Sequence, residues 1–313
     1  HVPYVAPENG RTYQLPVDLG PESAIVDHVQ LPFWFSGPQY RSPPLSSGFP
    51  PYALARLVQE TGGMYFMTNM TTMVGLAPLG DYDASVLRPF EPDYSYSSVQ
   101  DCLDDVRQHP IRMAVWQAAV ASRKYQAEGT PRLDIRVTPG NFKQVASQAQ
   151  QTVAKSQLMI DTILQAFPPG IEREYDREPS LRWRMAFALA YGRLLAQKTR
   201  CLEYNYALAG LKNDLTPQDV GSRSNHWLFR PDGTINHAGG VKRMARTATE
   251  LLTRVVEEAP GTPFAVMARR ELKDPLGIRV VQRFIPPVQR RPARPSAAPP
   301  RPRQRVQFVR PKP

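Results

Sequence analysis

Residues 180–211 read SLRWRMAFALAYGRLLAQKTRCLEYNYALAGL. Apolar residues recur through this stretch at helical spacing, which predicts one long helix that begins near Pro179 or Ser180. Either residue suits a helix start, because a serine side chain accepts a free backbone N–H and proline has no N–H to leave unpaired. The tryptophan, phenylalanine and leucine side chains of this helix form a stripe that would face a helical core.

Further helical patterns on both sides of this stretch predict that the last two thirds of the folded part is mainly helical. Helices are expected over residues 99–109, 111–129, 141–167, about 241–258 and 263–272. Ser97 or Ser98 would cap the first of these helices, and Pro110 allows the second to begin.

Two short β elements are expected among these helices. Residues 132–137 are a possible short strand, and residues 226–237 are predicted to form a hairpin that turns around Pro231-Asp232-Gly233. His226 and His237 would then face each other across the hairpin. Facing histidines could hold zinc, but no acid or cysteine ligand accompanies them, so they are interpreted as surface histidines at loop ends.

The first 50 residues have β and loop character instead. Residues 11–19 alternate loosely, and residues 25–35 are rich in β-branched and aromatic side chains, which predicts strands. A helix is then expected from Tyr52, with Gly62 as its left-handed C-cap, and a short strand over residues 64–68 follows it.

The unit YALARLVQETGGMYF, residues 52–66, resembles the closing helix and strand of a von Willebrand factor type A (VWA) domain. In that family a helix with the pattern apolar-Ala-x-x-Thr-Gly-Gly leads into the last core strand, and here Thr61, Gly62 and Gly63 match the turn. The resemblance implies an α/β domain that acts in protein–protein recognition. It also implies a divalent cation such as Mg²⁺ only if the family's cation-binding loops exist upstream, so no cofactor is expected within this chain.

The string Asp93-Tyr94-Ser95-Tyr96-Ser97 has the spacing of the VWA cation-binding loop. That loop needs an apolar strand directly before it, whereas two prolines precede this string and the string follows the closing strand. Asp93 and Ser97 are therefore interpreted as turn and helix-cap residues, and no metal site is assigned to the chain.

The long helix also resembles the first helix of a tetratricopeptide-like hairpin. The matching residues are Trp183, Ala186, Leu189, Ala190, Tyr191 and Gly192. The family would place them as the large and small partners of paired helices. No 34-residue period is visible, so a plain helical bundle remains an equal alternative, and an irregular helical interaction domain covers both.

Changes in composition divide the chain into four parts. Residues 1–74 are assigned to the C-terminal part of a VWA-like α/β domain, 75–96 to a linker, 97–285 to the helical domain and 286–313 to an Arg/Pro-rich tail. The predicted fold class is thus an α/β segment, the closing part of a VWA-like sheet, followed by a mainly α-helical domain and a disordered tail. Because the chain opens on His1 in an extended stretch, it is expected to be a piece of a longer protein.

Most of the net charge of +11 lies in the tail, which carries eight Lys and Arg residues and no acid. The high pI therefore describes the tail and is no argument for a basic folded body. Possible contacts to a polyanion or a partner are Arg290, Arg291, Arg294, Arg301, Arg303 and Arg305. The tail could bind an anionic polymer or membrane surface, dock as a polyproline ligand, or only add solubility.

The sequence shows no catalytic constellation. It lacks a Gly-rich phosphate loop, a G-x-S-x-G elbow and an H-E-x-x-H motif. The acidic clusters of residues 101–105 and 172–178 are expected at solvated helix ends. Cys102 and Cys201 are expected to be buried free thiols, and no apolar run is long enough for a transmembrane helix.

These observations favour a non-enzymatic binding or scaffold protein that acts through protein–protein interaction. The alternative, from a different class, is a protein that binds an anionic polymer, nucleic acid or an anionic membrane surface, through its basic tail. A weaker alternative is a hydrolase whose catalytic residues lie upstream. The oligomeric state is not indicated.

Overall fold

The computed structural model describes residues 2–5, 10–15, 25–31, 57, 61–62, 84–93, 95–96, 98–124 and 130–286. Within these ranges the α-helices are α1 Ala84–Leu87, α2 Val99–Gln108, α3 Pro110–Lys124, α4 Phe142–Leu164, α5 Leu181–Asp214, α6 Pro217–Ser222, α7 Gly239–Glu258 and α8 Pro263–Leu272. The strands are β1 Val2–Val5, β2 Thr12–Leu15, β3 Asp134–Arg136, β4 His226–Asp232 and β5 Gly277–Arg283. Two 3₁₀ segments cover Arg88–Phe90 and Ile171–Arg177. The expectation of a mainly helical part is confirmed.

Helix α5 is the long helix predicted from residues 180–211, and it runs through the middle of the helical part. Its 34 residues correspond to about 51 Å at the usual rise per residue. Apolar residues occur on all sides of its first two thirds, and such a helix is stable only when other elements surround it. Helices α3, α4, α7 and α8 and strand β5 pack against it.

A glycine sets the closest helix crossing. A Cβ atom on Gly192 of α5 would lie 3.0 Å from Cγ of Leu252 in α7, which is closer than nearly all real contacts of a Cβ. The missing side chain therefore lets α7 approach α5, and these two helices share the most extensive contact between elements described.

The predicted helix starts are confirmed where the caps are described. Ser98 accepts a hydrogen bond from the backbone N–H of Asp101, and Ser180 accepts one from the N–H of Trp183. Pro110 begins α3. These contacts are local in sequence, which is why the sequence alone predicts them.

The expectation of a strand over residues 25–35 is wrong for its described part. Residues 25–31 contain no strand, and they lie against the helices instead. Val29 and Leu31 are buried in the core, the N–H of Gln30 donates to Oγ of Ser122 over 3.0 Å, and Asp27 pairs with Arg182. Val29 and Leu31 are buried on either side of the exposed Gln30, but helices and not neighbouring strands cover them. In the same N-terminal part, β1 and β2 form an antiparallel pair, which confirms a strand within residues 11–19.

Residues 84–90, within the predicted linker, form α1 and a 3₁₀ turn. Phe90 is only 3% exposed, and its ring centroid lies 5.9 Å from that of Phe264 in α8. Its carbonyl accepts a hydrogen bond from Nη1 of Arg182. Residues on both sides of the expected linker thus contribute to one apolar core; the domain limits themselves stay a prediction.

The predicted hairpin over residues 226–237 is wrong. Strand β4 runs straight through Pro231 and Asp232, and it is the middle strand of an antiparallel sheet with the order β3-β4-β5. Its partner β5 lies about 50 residues away along the chain and was not predicted. Because β3 pairs only with the first three residues of β4, one side of Pro231 has no neighbouring strand, and a proline without an N–H is tolerated there.

Candidate functional site

Strand register assigns each side chain of the three-stranded sheet to one of two faces, since directly opposite residues point to the same side. The inner face carries Ile135, Trp227, Phe229 and Ile278, which belong to the apolar core. The ring of Phe229 lies 4.6 Å from that of Tyr204 in α5. The sheet is therefore fixed to the long helix through this face.

The other side of the sheet, which we call the outer face, is basic. Its residues are Asp134, Arg136, His226, Leu228, Arg230, Asp232, Arg279, Val281 and Arg283. All four arginines are exposed. Each of the two acids already has a partner: Asp134 binds His226, and Oδ1 of Asp232 accepts the N–H of Thr234.

The four arginines lie in two rows across the strands. Arg136, His226 and Arg283 are in register and form the first row, and Arg230 lies directly opposite Arg279 in the second. Residues 226 and 230 are four apart on one strand, so the rows are about 13 Å apart. The first row spans two strand spacings, or about 10 Å.

The arginines of the outer face have no ion-pair partners among the described residues. Within the described part of the chain, none of the four makes an ion pair or a side-chain hydrogen bond, in contrast to Arg112 and Arg200 in the interior. Like charges placed directly opposite each other across two strands destabilise a sheet. The facing pair Arg230 and Arg279 thus forms a positive site without an ion-pair partner, and a bound anion would relieve the repulsion between the two charges.

His226 anchors the first row. Its Nε2 lies 2.7 Å from Oδ1 of Asp134, and its side chain is mostly buried while that of Asp134 is largely exposed. His237 is not its partner: the backbone N–H of His237 donates to Glu203 over 2.7 Å, and its ring lies against Tyr206. With β4 a single strand, the two histidines do not face each other as the sequence predicted.

The chain leaves the sheet at the end of the first row. The side-chain amide of Asn225 donates to the carbonyl of Ile285 and accepts the N–H of the same residue, both over 2.8 Å, and we call this pair of hydrogen bonds the clamp. The predicted contacts Arg290, Arg291, Arg294, Arg301, Arg303 and Arg305 lie outside the described residues. In the sequence, Arg290 follows Ile285 by five positions.

Two acids that the sequence placed at solvated helix ends are ion-paired instead. Glu178 is 4% exposed and accepts hydrogen bonds from Nε and Nη2 of Arg112, while Asp105 pairs with Nη1 of the same arginine. Burial acts to lower the pKa of Arg112, but the hydrogen bond and charge of Glu178 and the charge of Asp105 raise it overall. Asp101 and Asp104 are exposed, as expected.

Both cysteines are free and buried, which confirms the expectation from the sequence. Burial is the main cause that raises the pKa of the Cys201 thiol to about 12. A thiol in this state is an inert core residue and no nucleophile.

The motif that carries the VWA resemblance is described only in part. Thr61 is helical, its hydroxyl donates to the carbonyl of Leu57 over 2.7 Å, and Gly62 has a φ of 67°. This angle confirms the left-handed helix end expected at Gly62. Gly63 and the strand expected after it lie outside the described residues.

The string around Asp93 has the predicted turn. Oδ1 of Asp93 accepts the backbone N–H of Ser95 over 2.9 Å, and Ser98 caps the next helix. Ser97 lies outside the described residues. In the part of the chain that the structure covers, no group of three or more potential metal ligands comes together. None of the helices there is both long and apolar enough to span a bilayer.

Comparison with protein-family models, curated proteins and solved structures found no match for this chain. The geometry of the molecule is therefore the basis for any functional assignment.

The outer face could not be read from the sequence, because its four arginines come from three segments that are distant along the chain. A partial signal exists in residues 277–283, GIRVVQR, where β-branched residues follow a glycine and arginines recur. It indicates a strand. Only the pairing of that strand with β4 brings Arg279 opposite Arg230.

Proposed function

We propose that this chain is a binding protein that holds an anionic macromolecule on the outer face of its three-stranded sheet. The face presents exposed arginines on short, paired strands that the core fixes in place. Cations whose backbone is held in a sheet lose less conformational freedom on binding than cations on a free chain, so they hold an anion more effectively. The basic tail, which follows β5 in the sequence, carries charge of the same sign.

The facing pair Arg230 and Arg279 is the observation that carries this proposal. Each guanidinium offers up to five N–H donors in a planar fork, which matches a carboxylate or a phosphate. Two such groups side by side, with no acid between them, are suited to a polymer with repeated negative charges.

The test is the double variant Arg230→Gln/Arg279→Gln, measured for binding to heparin and to poly-glutamate at several salt concentrations. At about 1 kcal/mol for each cation near an anionic surface, its affinity is expected to fall roughly thirtyfold. The matched control is Arg107→Gln/Arg177→Gln, which removes the same charge from two exposed arginines that are paired with Asp104 and Glu174. If both variants lose the same affinity, net charge alone governs binding. If Arg230→Gln/Arg279→Gln loses no affinity, the outer face is not the binding site.

The protein–protein role implied by the VWA resemblance concerns residues 1–74, most of which lie outside the described residues, and it stays a prediction. The same holds for an upstream cation site and for an upstream hydrolase. An acidic protein would be consistent with this role and could also bind to the outer face. The affinity for poly-glutamate measures how well the face binds such a partner.

A further inference from the structure

We infer that the anionic partner is double-stranded nucleic acid, bound through its phosphates without reading the base sequence. This inference rests on the proposed function, since it names the partner of the same face. It follows from three properties of the outer face: the type of its cations, the residues between them, and the distance between the two rows.

The cations are all arginine, and none is lysine. A guanidinium binds a phosphate with two parallel N–H bonds, whereas an ammonium acts as a point charge. Arg136, Arg230, Arg279 and Arg283 are exposed and free of ion pairs within the described residues, so all four are available for such contacts.

The outer face contains no phenylalanine, tyrosine or tryptophan, and no asparagine or glutamine. The ring of His226 is buried and cannot stack on a base. Proteins that hold single strands stack bases on aromatic rings, and proteins that read adenine in the major groove commonly use asparagine or glutamine. The remaining donors are the four guanidiniums, which can bind either guanine or phosphate. Because they lie in two rows about 13 Å apart, we assign them to the phosphates of the two backbones and not to the bases between them. These contacts are indifferent to sequence and do not require unpaired bases.

The spacing of the two rows fits a duplex. The rows are about 13 Å apart along the strands, and the major groove between two phosphate backbones is about 12 Å wide. One row can therefore contact each backbone. A single strand offers only one line of phosphates, so it can engage one row at a time unless it bends.

The residues between the rows argue against a membrane as the partner. Leu228 is only 7% exposed and Val281 is half-buried, so this part of the face offers little apolar surface for insertion. Phe284 and Ile285 are exposed just beyond Arg283, and a vesicle measurement tests whether they change this conclusion.

The experiment measures binding of the full chain to a 20-base-pair DNA duplex, in two unrelated sequences, and to the corresponding single strands. Vesicles of phosphatidylcholine with phosphatidylserine are the third probe. We expect tighter binding to the duplex than to the single strand, no preference between the two sequences, and weaker binding to vesicles.

Salt dependence gives a second readout. Each phosphate contact contributes about 0.9 to the slope of log K against log salt for duplex DNA. The slope is therefore expected to decrease by about 1.8 in Arg230→Gln/Arg279→Gln and by about 3.6 when Arg136 and Arg283 are also changed to glutamine. The control Arg107→Gln/Arg177→Gln should keep the slope of the unchanged chain, and circular dichroism verifies that each variant is folded.

A single strand or a vesicle that binds as tightly as the duplex would overturn this inference, as would a clear preference for one duplex sequence. A different result would overturn the proposed function itself. That result is an Arg230→Gln/Arg279→Gln variant that binds heparin and poly-glutamate as tightly as the control variant does. An unchanged salt slope on duplex DNA, with reduced binding to poly-glutamate, would assign the face to an acidic protein.

Discussion

Glu178 shows how tertiary contacts change the role of a single residue. Its local sequence is acidic and polar, which favours an exposed position at a helix start. In the fold it lies between α3 and the start of α5, where it binds Arg112 with both carboxylate oxygens and also accepts the N–H of Ser180. The Arg112–Glu178 pair is almost completely buried, so each charged group needs the other to compensate for its loss of hydration.

Replacing Glu178 by alanine should therefore be costly. Removing one partner of a buried ion pair leaves an unpaired charge in the interior, which destabilises a protein by about 3–5 kcal/mol. Urea unfolding of Glu178→Ala measures this change. The control is Glu174→Ala, which breaks a pair with the exposed Arg177 at the surface and should cost less than about 1 kcal/mol. Similar losses in both variants would show that the Arg112 pair is not effectively buried.

At the scale of elements, the crossing of α5 and α7 depends on the absence of one side chain. Gly192 lies against Leu251 and Leu252, and the backbone of α5 comes close to α7 only because no Cβ intervenes. A glycine inside a helix lowers helix stability relative to alanine, so its presence here is explained by packing.

The variant Gly192→Ala should be destabilised by roughly 1–3 kcal/mol, although alanine favours the helix. Leu252→Ala alone should cost about 2–5 kcal/mol, since it creates a cavity. In the double variant the new methyl group enters the space left by Leu252. The combined loss, measured by denaturant unfolding, should thus be smaller than the sum of the single losses. Strict additivity would be inconsistent with direct contact between residues 192 and 252.

A second element, residues 25–31, is held on the helices next to a small cavity of about 40 Å³ that His28 and Arg193 help to line. Nε2 of His28 is buried without a hydrogen-bond partner among the described residues. Burial is the largest cause that lowers the pKa of His28 from 6.5. Asp27 opposes this shift, while Arg123, Arg193 and Arg182 add to it.

Because the folded state holds His28 neutral, the unfolded chain takes up a proton at a higher pH than the folded chain. The contribution of His28 to stability is complete above about pH 6.5 and is lost as the pH falls toward the lowered pKa. Urea unfolding at pH 7.5 and pH 5.0 should show a smaller acid-induced loss of stability for His28→Gln than for the unchanged chain. An equal acid-induced loss of stability in both proteins would contradict the conclusion that the folded state holds His28 neutral.

At the scale of the whole molecule, positive charge occurs in two places with different physical character. The outer face carries arginines on paired strands, and residues 286–313 carry eight cations in a proline-rich sequence. The clamp between Asn225 and Ile285 places the start of the tail beside the first row of the face. The two sets of cations can thus act on the same polymer.

Deleting residues 287–313 should lower the affinity for duplex DNA but leave the effect of Arg230→Gln/Arg279→Gln intact. The physical reason is that the tail adds sequence-independent charge while the face binds in its own right. Salt titrations of the shortened chain, with and without the two substitutions, measure this. If the shortened chain no longer responds to the substitutions, binding resides in the tail.

The sequence alone determined the elements that depend on neighbouring residues. The helix starts at Ser98, Pro110 and Ser180 were predicted because a cap and the N–H it satisfies are three residues apart or fewer. The same is true of β3 within residues 132–137, of the left-handed Gly62 and of the buried free cysteines. In each case a short-range pattern was sufficient.

Only the tertiary structure determined which residues that are distant along the chain contact each other. The segment expected to form a hairpin is the middle strand of a sheet, and Glu178 is buried against Arg112. Residues 25–31 pack on helices. The partners in these contacts are separated by about 50 to 150 residues, and local propensity carries no information about them. The candidate binding face belongs to this second group, because strand pairing alone places Arg230 opposite Arg279.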